Sequence, residues 1–167
     1  QKSELYINGV KLVSDNYLRD FPTVKSLNYL NLMSKSELLS KSGAFTLLYT
    51  YNGKVLEAAI SNIFIVKDGI VITPKNNILI GTTRNLTIKL IQSVYKVEER
   101  DIDINQLDNA DEVFITGTTQ GILPVVKVDH KEYSKGKPGG ITKNIINIFN
   151  NYVNDQPNEA ERHLARR

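Results

Sequence analysis

Apolar positions along the chain keep two rhythms, a period near two in short runs and a period near 3.6 in longer ones. Residues 5–13 predict a hairpin folded at Asn8-Gly9. Residues 26–42 predict a helix with Leu27, Leu30, Leu38 and Leu39 near one face and Gly43 as its stop. Two more hairpins follow, the first with residues 44–51 and 54–59 flanking Asn52-Gly53. In the second, residues 63–66 and 70–73 flank Asp68-Gly69. The spacing of Leu86, Leu90, Ile91 and Val94 predicts a helix over 83–94. Strands are expected at 97–101, 113–116 and 122–128. Residues 141–153 close the body as an amphipathic helix with Ile145, Ile148, Phe149 and Tyr152 inward. Successive hairpins mixed with helices argue for a mixed α and β fold. The expected architecture is a barrel-like mixed sheet with flanking helices, not a doubly wound parallel sheet.

Composition narrows the function classes. At 167 residues the chain suits one domain with a proper core. No apolar run reaches the roughly 18 residues of a membrane span, and the first ten residues do not read as a signal peptide. The absence of cysteine excludes disulfides, thiol catalysis and zinc–thiolate sites, and fits a reducing cytoplasm. With His130 and His163 alone, a histidine-rich metal site is not expected. The net charge is +3, of which residues 157–167 carry +1, and the lysines of the body are scattered. A nucleic-acid partner would want a basic face with interleaved aromatics, so none is expected. The body uses arginine only at Arg19, Arg84 and Arg100, whereas residues 157–167 hold Arg162, Arg166 and Arg167. That tail, a native end or an appended remnant, is expected to be disordered and to lie outside a folded unit of residues 1–156. The chain starts at Gln1, which suggests that something upstream has been removed.

Four segments offer chemistry, and each has an ordinary explanation when taken alone. Lys25 precedes the first long helix, but a single lysine is usually a solvated charge. Glu57 ends a hairpin strand, where a glutamate is normally just exposed. Ile80-Gly81-Thr82-Thr83-Arg84 opens a helix, where free N–H groups and the dipole suit an anion, although most such starts simply cap. Thr116-Gly117-Thr118-Thr119-Gln120 joins two strands as a polar turn.

Together they say more. Lys25-Ser26-Leu27-Asn28, Glu57 with Ser61-Asn62-Ile63-Phe64, Leu79-Ile80-Gly81-Thr82-Thr83-Arg84, and Gly117-Thr118-Thr119 with Pro124-Val125 come in order. This succession resembles the class IV pyridoxal-phosphate enzymes: D-amino-acid aminotransferases, branched-chain aminotransferases and aminodeoxychorismate lyases. The resemblance covers residues 5–153 and implies the large, cofactor-binding domain of the fold-type IV enzymes, with pyridoxal 5′-phosphate as cofactor. It implies that Lys25 bonds the cofactor aldehyde and then shuttles a proton to and from the substrate α-carbon. That task calls for a desolvated amine that can be neutral. Glu57 would face the pyridine nitrogen and keep it protonated, so that the ring accepts electrons. Thr82 and Thr83 would hold the phosphate with Thr118, and Leu79 would pack on the cofactor ring. Arg84 reads as structural, and Asn62 as ordering the turn after Glu57.

Two departures qualify the resemblance. The family's smaller N-terminal domain, which supplies a phosphate-binding arginine and much of the substrate pocket, is not in this sequence, so only part of an active site is expected. Ala58-Ala59-Ile60 also stands where the aminotransferases often carry a glycine-rich stretch, which leaves the subfamily open. The expected activity is transamination between an α-amino acid and a 2-oxo acid, by a cytoplasmic homodimer. One alternative is lyase chemistry on aminodeoxychorismate, releasing pyruvate and 4-aminobenzoate. Another is a non-catalytic domain that kept the fold, which predicts loss of Lys25 or Glu57, yet both are present.

Overall fold

The structure is a computed structural model and describes residues 2–155. In chain order the elements are α1 (Lys2–Asn8), β1 (Val10–Asn16), α2 (Leu30–Ser34), α3 (Ser36–Ser42), β2 (Thr46–Tyr51), β3 (Lys54–Ala58), β4 (Asn62–Lys67) and β5 (Ile70–Thr73). They continue with α4 (Thr82–Ile91), β6 (Val97–Glu99), β7 (Ile102–Asp103), α5 (Ile104–Asp108), β8 (Glu112–Gly117), β9 (Gly121–Val128), β10 (Lys131–Glu132) and α6 (Gly140–Asn154). Ten strands form one sheet, nine of them in the order β6-β5-β4-β8-β9-β1-β2-β3-β7, with β10 paired to β9 off this path. The pairs β1–β2, β1–β9 and β5–β6 are parallel and the others antiparallel, so the sheet is mixed as expected.

Connectivity alone forces the sheet to curl. Strands β3 and β4 lie five places apart in the order, about 24 Å in a flat sheet. The link from Ala58 to Asn62 is four residue steps, which reach at most about 14 Å. The sheet therefore rolls until β3 and β4 approach, and Ala58 and Ser61 form an isolated bridge at the closure. Inside the curl lie Leu12, Leu48, Val55, Ile63, Ile65, Val113, Ile115, Leu123 and Val125. The alternate residues Phe64, Val66, Phe114 and Ile122 point outward and are covered by α4 and α6, with Phe64 and Phe114 stacked at 4.7 Å. Both faces of β4 and β8 are thus buried, which explains their unbroken apolar runs. A third cluster of Leu47, Tyr49, Leu56 and Ile78 is covered by Leu32 of α2 and Leu39 of α3.

The two central hairpins are as expected: Asn52 and Gly53, like Asp68 and Gly69, all take positive φ. The first is not. Asn8-Gly9 ends α1 instead of turning a hairpin, because Gly9 alone takes positive φ and its N–H donates to the Leu5 carbonyl at 3.0 Å. A Cβ on Gly9 would lie 2.4 Å from Val126 Cγ1, so the chain must pass there without a side chain. The helix expected over 26–42 is broken as well. Asn28 and Leu30 donate backbone N–H groups to the Ser26 hydroxyl and the Asn28 side-chain oxygen, local bonds that compete with a helix. Leu27 and Leu30 are consequently 91% and 74% exposed. Gly43 does end α3 in the left-handed conformation. The helix over 83–94 ends at Ile91, the strand over 97–101 shortens to β6, and Tyr152 points outward, because α6 contacts the sheet and α4 through Ile141, Ile145, Ile146 and Phe149. Residues 156–167, including the tail singled out above, lie outside the described residues.

Arg84 is the largest fully buried side chain, at 1% exposure. Its Nη2 donates to the Pro74 carbonyl and to Glu99, each at 2.9 Å, so it locks α4 onto the segment before it. Arg84→Met is expected to destabilise the protein by about 2–3 kcal/mol, because the buried Pro74 carbonyl is left without its charged donor. Arg84→Lys should recover little, since a shorter side chain ending in a compact, strongly hydrated ammonium does not place a buried donor between Pro74 and Glu99. Urea denaturation midpoints of the two variants check this.

Candidate active site

The closure between β3 and β4 opens into a cavity of about 740 Å³. All six residues singled out from the sequence line it: Lys25, Glu57, Leu79, Thr82, Thr83 and Thr118. Glu57, near the end of β3, is 5% exposed. Its Oε1 accepts from Arg19 Nε at 2.9 Å and lies 2.9 Å from Arg19 Nη2 in an ion pair, and its Oε2 accepts from the Leu79 N–H at 3.0 Å. Burial pushes its carboxyl up to about 7, against the opposite pull of the Arg19 guanidinium and the Leu79 N–H. The group is therefore poised to share a proton with a basic partner near neutral pH.

The Leu79 peptide is held from both sides, since Asn62 Nδ2 donates to its carbonyl at 2.6 Å. Asn62 thus reaches across to the approach of α4 and does not merely order the turn after Glu57. A Cβ on Gly81 would fall 2.3 Å from Asn62 Oδ1, so this approach requires glycine. The first helical bond of α4 runs from the Asn85 N–H to the Gly81 carbonyl, and Gly81 offers no side-chain cap. The N–H groups of Thr82, Thr83 and Arg84 therefore have no partner within the helix, and Thr82 and Thr83 line the cavity. A helix start of this kind suits an anion by backbone geometry and dipole. Opposite it, the turn after β8 exposes Thr118 and Thr119, and Gln120 ties this turn to the Ser61 hydroxyl.

Lys25 sits on the cavity wall and is exposed. The desolvation expected for it is not supplied by the described residues. Arg19, Tyr29 and Tyr6 also line the cavity and were not singled out from the sequence, and Thr116, the first residue of the polar turn that was, lines it too. A signal for Arg19 existed. In a body that prefers lysine, all three arginines reach more than one acceptor: Arg19 with Glu57 and the Pro22 carbonyl, Arg84 with Pro74 and Glu99, and Arg100 with Glu98 and Gln106. Among the described residues no group of three or more His, Asp or Glu is placed to hold a metal, and no helix is long and apolar enough to cross a membrane.

Comparison with known proteins identifies the family to which this curled mixed sheet belongs. The family model for class IV amino-transferases matches residues 1–128, and the chain belongs to this family. It is 41% identical over 130 residues to a probable branched-chain-amino-acid aminotransferase of Aquifex aeolicus, covering 75% of this chain and 42% of that one. It is 31% identical over 150 residues to the D-alanine aminotransferase of Staphylococcus aureus, covering 88% of this chain and 52% of that one. Among solved structures, the branched-chain amino acid aminotransferase of Escherichia coli superposes with a TM-score of 0.81 at 28% identity, over 94% of this chain and 55% of that one. A putative 4-amino-4-deoxychorismate lyase from Legionella pneumophila superposes with a TM-score of 0.78 at 29% identity, over 85% of this chain and 55% of that one. The chain spans about half the length of the curated relatives it matches.

Proposed function

We propose that the full protein uses pyridoxal 5′-phosphate to transfer an amino group between an α-amino acid and a 2-oxo acid. The observation that carries this is the joint lining of one cavity by Lys25, Glu57 and the uncapped start of α4. Those residues fit the cofactor: the free N–H groups at Thr82 and Thr83 suit a phosphate, and the buried Glu57 carboxyl suits a ring nitrogen. The volume is in the range of cofactor and small-molecule sites. When bound, the cofactor supplies an aldehyde that takes up the amino group and a ring that accepts electrons from the substrate α-carbon.

The chain's own residues do the rest. Thr82, Thr83 and Thr118 bind the phosphate. Leu79, its peptide pinned by Glu57 and Asn62, presents an apolar side chain to the ring. Glu57 holds a proton at the ring nitrogen, and Arg19 positions Glu57. Lys25 bonds the cofactor and afterwards carries the proton to and from the substrate α-carbon. Amino-acid and 2-oxo-acid substrates, the remaining domain and a second subunit in a cytoplasmic homodimer complete the picture. The relatives divide between branched-chain and D-alanine enzymes, and this chain favours neither.

Borohydride reduction followed by peptide mapping is expected to place the cofactor mass on the Lys25 peptide. The same preparation should exchange amino groups between an amino acid and a 2-oxo acid. Cofactor on another lysine would remove Lys25 from its role. A second reading, lyase chemistry in the same site, is favoured by the Legionella likeness. Release of 4-aminobenzoate from aminodeoxychorismate, without amino exchange, would select it.

A further inference from the structure

Thr116 stands apart from the residues assigned so far. It lies directly opposite Asn62 on β4 and Ile122 on β9. Residues paired this way across antiparallel strands send their side chains to the same face. Thr116 therefore shares a face with Asn62, whose amide donates to the Leu79 carbonyl and whose oxygen abuts Gly81. Thr116 is thus the cross-strand neighbour of the residue that holds the approach to α4.

The side chain is 2% exposed, lines the cavity, and its Oγ1 has no hydrogen-bond partner among the described residues. Buried polar atoms without partners also occur on Asn31, Thr46, Arg84, Tyr133 and Thr142, but none of these residues lines the cavity. A buried hydroxyl left without a partner is destabilising, and valine fills the same space without that penalty. An unpartnered hydroxyl on a residue of the cavity wall suits an anionic oxygen.

We propose that Thr116 is a further binding residue for the phosphate of the cofactor, donating its hydroxyl hydrogen to an oxygen held at the start of α4. This rests on the pyridoxal-phosphate function proposed above. The test titrates the full wild-type protein, Thr116→Val and Thr116→Ser with pyridoxal 5′-phosphate and with pyridoxal, which keeps the aldehyde and ring but lacks the phosphate. Loss of one hydroxyl contact to a charged group is expected to weaken pyridoxal 5′-phosphate binding by about 10-fold or more in Thr116→Val. Pyridoxal affinity should stay unchanged, and the ligand-free melting temperature should hold or rise. Thr116→Ser should retain most of the affinity. Equal pyridoxal 5′-phosphate affinity in Thr116→Val and wild type overturns the proposal. So does an equal loss for both ligands, which would mark general damage to the cavity. If the wild type binds no pyridoxal 5′-phosphate, the proposed function falls and this role with it.

Discussion

Lys25→Ala is expected to reduce amino transfer by about 1,000-fold or more while leaving the fold intact. The two halves of this expectation have separate grounds. Lys25 is exposed on the cavity wall, so the melting temperature should scarcely move. The proton carrier, by contrast, is lost entirely, and positioned proton transfer is worth roughly 10²–10⁴ in rate before the loss of the covalent link is added. Lys25→Arg should be as inactive, because a guanidinium stays charged and forms no such link. Steady-state kinetics with added methylamine sharpen the test. A small primary amine that enters the cavity should restore part of the lost rate in Lys25→Ala and none in Lys25→Arg. Wild-type turnover in Lys25→Ala would assign the role to another residue.

Glu57→Gln is expected to separate catalysis from stability. Turnover should fall by about 10–150-fold, the equivalent of one charge-assisted hydrogen bond, because glutamine does not hold a ring nitrogen protonated. Cofactor binding should survive, since the start of α4 and Thr118 are untouched. Stability should move the other way. The folded-state carboxyl of Glu57 is raised by burial from 4.5 to about 7. Its contribution to stability is therefore full below about pH 4.5 and lost as pH rises through about 7. Protonated glutamate and glutamine are close in shape and charge, so the two proteins should have similar stability near the lower limit. By pH 8 the variant should be the more stable, by an amount on the order of 3 kcal/mol. Urea unfolding across that range, paired with kinetics at neutral pH, reads both effects. A stability difference independent of pH would show that the Arg19 pairing cancels desolvation, and one that favours wild type as pH rises would show that it outweighs it.

Local preferences made much of this protein legible in its residues alone. Asn52-Gly53 and Asp68-Gly69 turn hairpins because each pair tolerates left-handed backbone between two apolar strands. The helices α4 and α6 follow from apolar spacing, and the six lining residues from the order of four short segments. Tertiary structure decided what such patterns leave ambiguous. The same Asn-Gly dipeptide ends a helix at residues 8–9, because β1 finds its partners in β2 and β9, 30 or more residues away, and not in the residues before it. The apolar repeat over 26–42 breaks because its first turn is spent at the cavity, where Ser26 and Tyr29 line the wall. The pairing of Arg19 with Glu57, the curl forced by the short β3–β4 link and the orphaned hydroxyl of Thr116 all join positions distant along the chain. No short-range periodicity encodes such contacts. They exist only once strand pairing has curled the sheet and brought β3 beside β4.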